Sequence, residues 1–272
     1  MRPHNLVVFA GPLPAAAPMM ASALLYNGTD STSVPGREAM QMRYASTYDS
    51  TGAPVVAELQ GDLLVPLAGL GELGAGTPAE VLAAAERRTA DAFPASGAQL
   101  RPVVPNPAKV ICVGLNYKSH IEETGRSDSD YPVLFPKFAS SLAGPYDALD
   151  VSGAPEAVDY ECELAVVIGK PARRVSEADA LDHVLGYTVA NDISMRDYQY
   201  KTHQWMQGKA WDACTPVGPY LVTPDEVDIT AQTISPSSTG RRCRSPPSTC
   251  SSSRFPGSSP RSASSLSCAP AT

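Results

Sequence analysis

Asp159, Glu161 and Glu163 alternate inside one apolar run, Val158-Asp-Tyr-Glu-Cys-Glu-Leu-Ala-Val-Val-Ile-Gly169. The flanking Val, Leu and Ile residues predict a strand. A strand's period of two puts the three carboxylates on one face and Tyr160, Cys162 and Leu164 on the other. Like charges stacked in a half-buried strand repel and lose hydration unless a cation or strong donors compensate. A hard divalent ion (Mg²⁺, Mn²⁺ or Ca²⁺) is one such partner, because it prefers carboxylate oxygens. The competing reading is a solvated edge strand that turns its charged side to water.

The 272 residues allow one large domain or two modest ones. A net charge of −7 argues against nucleic acid or an anionic membrane as partner. No apolar run is long enough to span a bilayer. Six cysteines without CxxC or zinc spacing fit reduced thiols in a cytoplasmic protein better than a disulfide framework. Composition changes abruptly near residue 230. Segment 230–272 holds fourteen Ser, six Pro and five Arg but no Asp, Glu, Lys or Val, and shows no structural period. It is expected to be a disordered tail. The abruptness favours a shifted reading frame over a genuine Ser/Arg-rich binding tail. Residues 1–41 read as an irregular Ala/Pro/Ser-rich leader, with a native start expected at Met40 or Met42.

Between these ends, 54–67 reads as two strands joined at Gln60-Gly61-Asp62. Thr77-Pro78-Ala79-Glu80 reads as a capping box opening a helix to about Arg88. Prolines at 94, 102, 105 and 107 mark a linker, which divides a small module over 42–93 from a larger domain over 108–229. The larger domain is read as strands over 109–114, 133–138, 161–168, 186–192 and 220–222. Helices are read over 117–123, 177–184 and 196–201. Strands predominate without βαβ alternation, so the expected class is β-rich α+β.

Asp192 closes a strand where apolar residues give way to polar ones. It is either a fourth carboxylate at a ligand-facing strand end or an N-cap. His120 and Glu123 share a helix face if their segment is helical. A carboxylate beside an imidazole makes a general base for water, though an exposed helix carries the same pair. Lys209, in Gln207-Gly-Lys-Ala-Trp-Asp212, could neutralise a developing enolate near the carboxylates, or form a surface salt bridge.

Together these runs resemble the fumarylacetoacetate hydrolase family over roughly 108–229. The matching runs are Ile111-Cys-Val-Gly-Leu-Asn-Tyr-Lys-Ser-His120, Pro132-Val-Leu-Phe-Pro-Lys137 and Asp159-Tyr-Glu-Cys-Glu-Leu164. They continue with Ala190-Asn-Asp-Ile-Ser-Met-Arg-Asp-Tyr-Gln199, Gln207-Gly-Lys-Ala-Trp-Asp212 and Pro216-Val-Gly-Pro219. The resemblance implies a mixed β-roll, a homodimer and a divalent metal, Mg²⁺ with Mn²⁺ or Ca²⁺ as alternatives. It implies metal ligands at Glu161, Glu163 and Asp192, an outer acid at Asp159 and a water-activating dyad of His120 and Glu123. Gln199 would orient substrate or water, and Lys209 would steady an enolate. The family's further strands and Gly/Thr-rich substrate loop do not follow Val222, so a truncated roll with weakened activity is expected.

The leading expectation is a metal-dependent hydrolase that cleaves the C–C bond of acylpyruvate-like or fumarylacetoacetate-like 1,3-dicarbonyl acids. The second is an isomerase or decarboxylase of hydroxymuconate-type products of aromatic ring cleavage. The third is an inactive truncated chain, or one that binds through its tail.

Overall fold

The computed structural model describes residues 5–9, 24–25, 42–74, 77–114, 132–153, 157–229, 232, 234–235, 237–238 and 241–242. Among these, ten strands form one sheet. Its order is Phe93–Pro94, Leu63–Pro66, Pro54–Gln60, Arg43–Tyr48, Leu221–Val222, Val184–Asn191, Cys162–Ile168, Asn5–Phe9, Lys109–Gly114 and Val133–Lys137. All neighbours are antiparallel except Asn5–Phe9 and Lys109–Gly114. With its short helices, this is the β-rich α+β architecture expected.

The hairpin is present, Pro54–Gln60 against Leu63–Pro66, with Gly61 at φ 58° in its turn. Glycine takes that left-handed conformation without a Cβ penalty. The capping box is not formed. The helix runs only Ala79–Ala84, Pro78 stands at its N-cap, and the Thr77 hydroxyl instead accepts from Gly74 N at 3.2 Å. The helix stops early because Arg87 is needed elsewhere. Its guanidinium donates to Ala83 O and Ala85 O and pairs with the buried Glu58 at 2.7 Å. Those bonds satisfy carbonyls that a helix end leaves open.

The stretch read as a linker is packed against the sheet. Ser46 Oγ donates to Val103 O, Arg101 N to Ser46 O and Val103 N to Val217 O, at 2.8, 2.8 and 3.2 Å. Leu100, Val103 and Val104 are buried. Leu221 and Val222 pair with Tyr44 and Arg43, so the segments on either side of this strap contribute to one sheet. The core beneath includes Tyr44, Val56, Leu67, Val110, Val167 and Leu221.

The helix read over 177–184 is a 3-10 turn, Ala180–His183, and the next strand begins at Val184, two residues earlier than expected. The Gly169 and Lys170 amides both donate to His183 O, which draws that residue onto the preceding strand's end. Segments expected to be irregular also contain ladders. Asn5–Phe9 pairs on both sides, and Leu24–Leu25 pairs with Ile234–Ser235.

Candidate active site

Of the three acids only Glu163 lies within Cys162–Ile168, a strand between Val184–Asn191 and Asn5–Phe9. Asp159 lies on the short strand Val158–Asp159, paired with Ser194–Met195 in a separate two-stranded sheet, and Glu161 falls between the two strands. The solvated edge-strand reading fails because all three are buried. The expected alternation shows only in part, because Leu164, expected on the face opposite the acids, is buried too. Asp159, Glu161 and Glu163 are buried, whereas Tyr160 and Cys162 between them are part-exposed. The register sets Glu163 opposite Ala190 and Cys162 opposite Asn191. The next step brings in Asp192, whose amide donates to Glu161 O at 2.9 Å. Asn191 Oδ1 accepts from Glu161 N at 3.2 Å, which fixes the backbone where the two carboxylates leave it.

Three cations meet these acids. Lys209 Nζ donates to Glu161 Oε2 at 2.5 Å and to Asp192 Oδ2 at 3.0 Å. Its delivery depends on Gly208. A Cβ there would lie 2.6 Å from both Gln199 N and Met195 O, so the Arg196–Gln199 and Met206–Lys209 helices touch backbone to backbone. Lys137 Nζ forms an ion pair with Asp192 Oδ1 at 2.5 Å. The same ammonium donates to Thr215 Oγ1 at 2.9 Å and to Lys209 O. Arg196 grips Asp159 Oδ2 through Nε and NH2 at 2.9 and 2.6 Å, and reaches Glu161 Oε1 at 2.7 Å. It also donates to Gln199 Oε1 at 2.7 Å, so this amide is held in place beside the acids.

Burial is nearly complete. Asp159, Glu161, Glu163, Asp192, Lys137 and Lys209 are each at most 3% exposed. Charges this dry are tolerable only when paired. Burial pushes the Glu161 carboxyl above the usual range, and Lys209 and Arg196 oppose the shift without cancelling it. For Asp192 burial pulls the same way but loses to Lys137 and Lys209, which hold its carboxyl below the usual range. Burial alone would lower the Lys209 ammonium's pKa; Asp192 and Glu161 instead raise it well above that of an ordinary lysine. Lys209 therefore stays charged throughout the neutral range.

Glu161, Glu163 and Asp192 are each buried and offer carboxylate oxygens, the donor type that a hard divalent ion prefers. Among the described residues, however, no three His, Cys, Asp or Glu side chains are grouped to hold a metal. The cations that touch Glu161 and Asp192 are ammonium and guanidinium groups. His120 and Glu123 lie outside the described residues.

Two site residues, Lys137 and Arg196, went unassigned in the sequence. Alternation from Phe135 puts Lys137 on the inward face of its strand, a usable signal. Arg196 follows Asp192 by four residues at a helix start, which is a weaker one.

Residues 109–245 match the family model for fumarylacetoacetate (FAA) hydrolase, C-terminal. That is half of the chain, which belongs to the fumarylacetoacetate hydrolase family. The match runs past residue 229 into the Ser/Pro/Arg-rich segment. The mitochondrial oxaloacetate tautomerase fahd2 of Xenopus laevis is 44% identical over 151 residues, covering 55% of this chain and 46% of that protein. The chain spans about half the length of the curated relatives it matches. Among solved structures, the 5-carboxymethyl-2-hydroxymuconate delta-isomerase from Mycobacterium smegmatis is similar at TM-score 0.60 and 29% identity, covering 74% of each chain. Fumarylacetoacetate hydrolase from Exiguobacterium antarcticum is similar at TM-score 0.60 and 29% identity, covering 74% of this chain and 73% of that one.

Proposed function

We propose that this chain catalyses keto–enol interconversion of a small 2-oxo dicarboxylic acid, the isomerase-type reaction, rather than the C–C hydrolysis expected first. The observation that carries the reading is Lys209, a buried ammonium held between Glu161 and Asp192 and charged at neutral pH. A preorganised cation in a dry site steadies the negative oxygen of an enolate far better than water does. Gln199, held by Arg196, would orient the substrate, and Arg196 would keep Asp159 and Glu161 from repelling each other. A divalent ion, Mg²⁺ with Mn²⁺ or Ca²⁺ as alternatives, would be held by Glu161, Glu163 and Asp192 and would supply Lewis acidity toward the 2-oxo acid. Interconversion needs no activated water, so it does not require the His120–Glu123 dyad. The tautomerase and isomerase named among the similar proteins support this choice.

C–C bond hydrolysis is the second reading, supported by the likeness to a fumarylacetoacetate hydrolase. Leu134 and Phe138, exposed on and just after Val133–Lys137, the last strand of the sheet among the described residues, support a homodimer.

NMR of enol-oxaloacetate and of an acylpyruvate, each incubated with the protein and Mg²⁺, separates the readings. Accelerated enol loss with the acylpyruvate left intact is expected. Cleavage of the acylpyruvate without faster enol loss would reverse the choice.

A further inference from the structure

We propose that Lys137 sets how tightly this site takes a divalent cation, because its ammonium occupies the Asp192 oxygen that such an ion would need. The inference rests on the reading that Glu161, Glu163 and Asp192 hold the ion. The two buried lysines are not equivalent. The side-chain ion pairs of Lys209 are both to carboxylates, Glu161 and Asp192, so withdrawing it would leave a bare buried charge. Lys137 has directed hydrogen bonds to two neutral acceptors, Thr215 Oγ1 at 2.9 Å and Lys209 O. Its contact with Asp192 Oδ1, at 2.5 Å, is a third one, to a charged group. Because Lys137 keeps two neutral acceptors, Asp192 can turn to an incoming cation while the ammonium stays seated.

Asp192 is drawn between two ammonium groups, Lys137 on Oδ1 and Lys209 on Oδ2.

The test is Mn²⁺ binding to the full chain, measured by titration calorimetry and by electron paramagnetic resonance of free Mn²⁺, with circular dichroism to verify folding. Lys137→Met should tighten binding roughly tenfold or more, the step expected when a full charge is removed within a few ångströms of the ion. Thr215→Val should weaken it, because the ammonium loses a neutral acceptor and holds Asp192 harder. Unchanged or weaker binding by folded Lys137→Met overturns the proposal while leaving the cation site standing. Should that variant not fold, unchanged or tighter binding by Thr215→Val overturns it. No Mn²⁺ binding by the wild type or either variant removes both the site and its competitor.

Discussion

Asp192→Asn isolates the electrostatics of the cluster. The substitution keeps shape but replaces a carboxylate that touches Lys137 at 2.5 Å and Lys209 at 3.0 Å. An asparagine can accept from one ammonium only, and its NH₂ then faces the other, donor against donor. Removing one partner from a buried ion pair costs about 3–5 kcal/mol. That is a large share of the roughly 5–15 kcal/mol that holds a domain folded. Urea denaturation in the presence of a chelator, so that no bound ion contributes, should show a midpoint lowered by about 1–2 M. The pH dependence carries a sign. The Asp192 carboxyl is held below its usual range, so its share of stability is present above the unfolded value of about 3.9. That share fades only as pH falls through the lower folded value. The gap between wild type and variant should therefore be flat from pH 8 to about 5 and close only in strong acid. Glu161 is shifted the other way by burial, so its contribution is full below about 4.3 and declines as pH rises through its raised folded value. A loss under about 1 kcal/mol, or a gap that closes between pH 8 and 6, would refute the buried-pair account.

Gly208→Ala places a methyl 2.6 Å from Gln199 N and Met195 O, where only backbone can yield. We expect a cost of about 1–3 kcal/mol and, from displacement of Lys209, activity lowered as much as ~100-fold, read by thermal melting and turnover on the same preparations. Arg87→Met strips buried Glu58 of its cation and leaves Gln60 as its hydrogen-bond partner, which should cost about 3–5 kcal/mol by urea denaturation without shifting the affinity for substrate.

The chemistry of the strand acids was legible because a strand's period is rigid. Asp159, Glu161 and Glu163 at alternate positions are all buried, although the chain leaves one strand after Asp159 and enters the next only at Cys162. Most of the strands were legible for the same reason, with ends misplaced by a residue or two where tertiary bonds such as His183 O drew the chain in. The strap over 94–107 was not, since prolines that mark a linker also fit an extended segment bonded through Ser46 and Thr47 hydroxyls. Nor could the sequence show what compensates the acids. Lys209 lies 48 residues from Glu161, and Lys137 reaches Asp192 across the fold, so nothing local signals either pairing. A short-range pattern reports which side chains share a face; it does not report which cation arrives from another element.

The most direct test of the account compares wild type with Lys209→Met in the rate of enol-oxaloacetate disappearance, followed by ultraviolet absorbance at saturating Mg²⁺ and pH 7. The wild type should accelerate the reaction clearly. The folded variant should lose ~100-fold or more of that acceleration, the loss typical of a missing oxyanion stabiliser. An unaccelerated wild-type reaction, or a folded Lys209→Met protein as fast as the wild type, would contradict it.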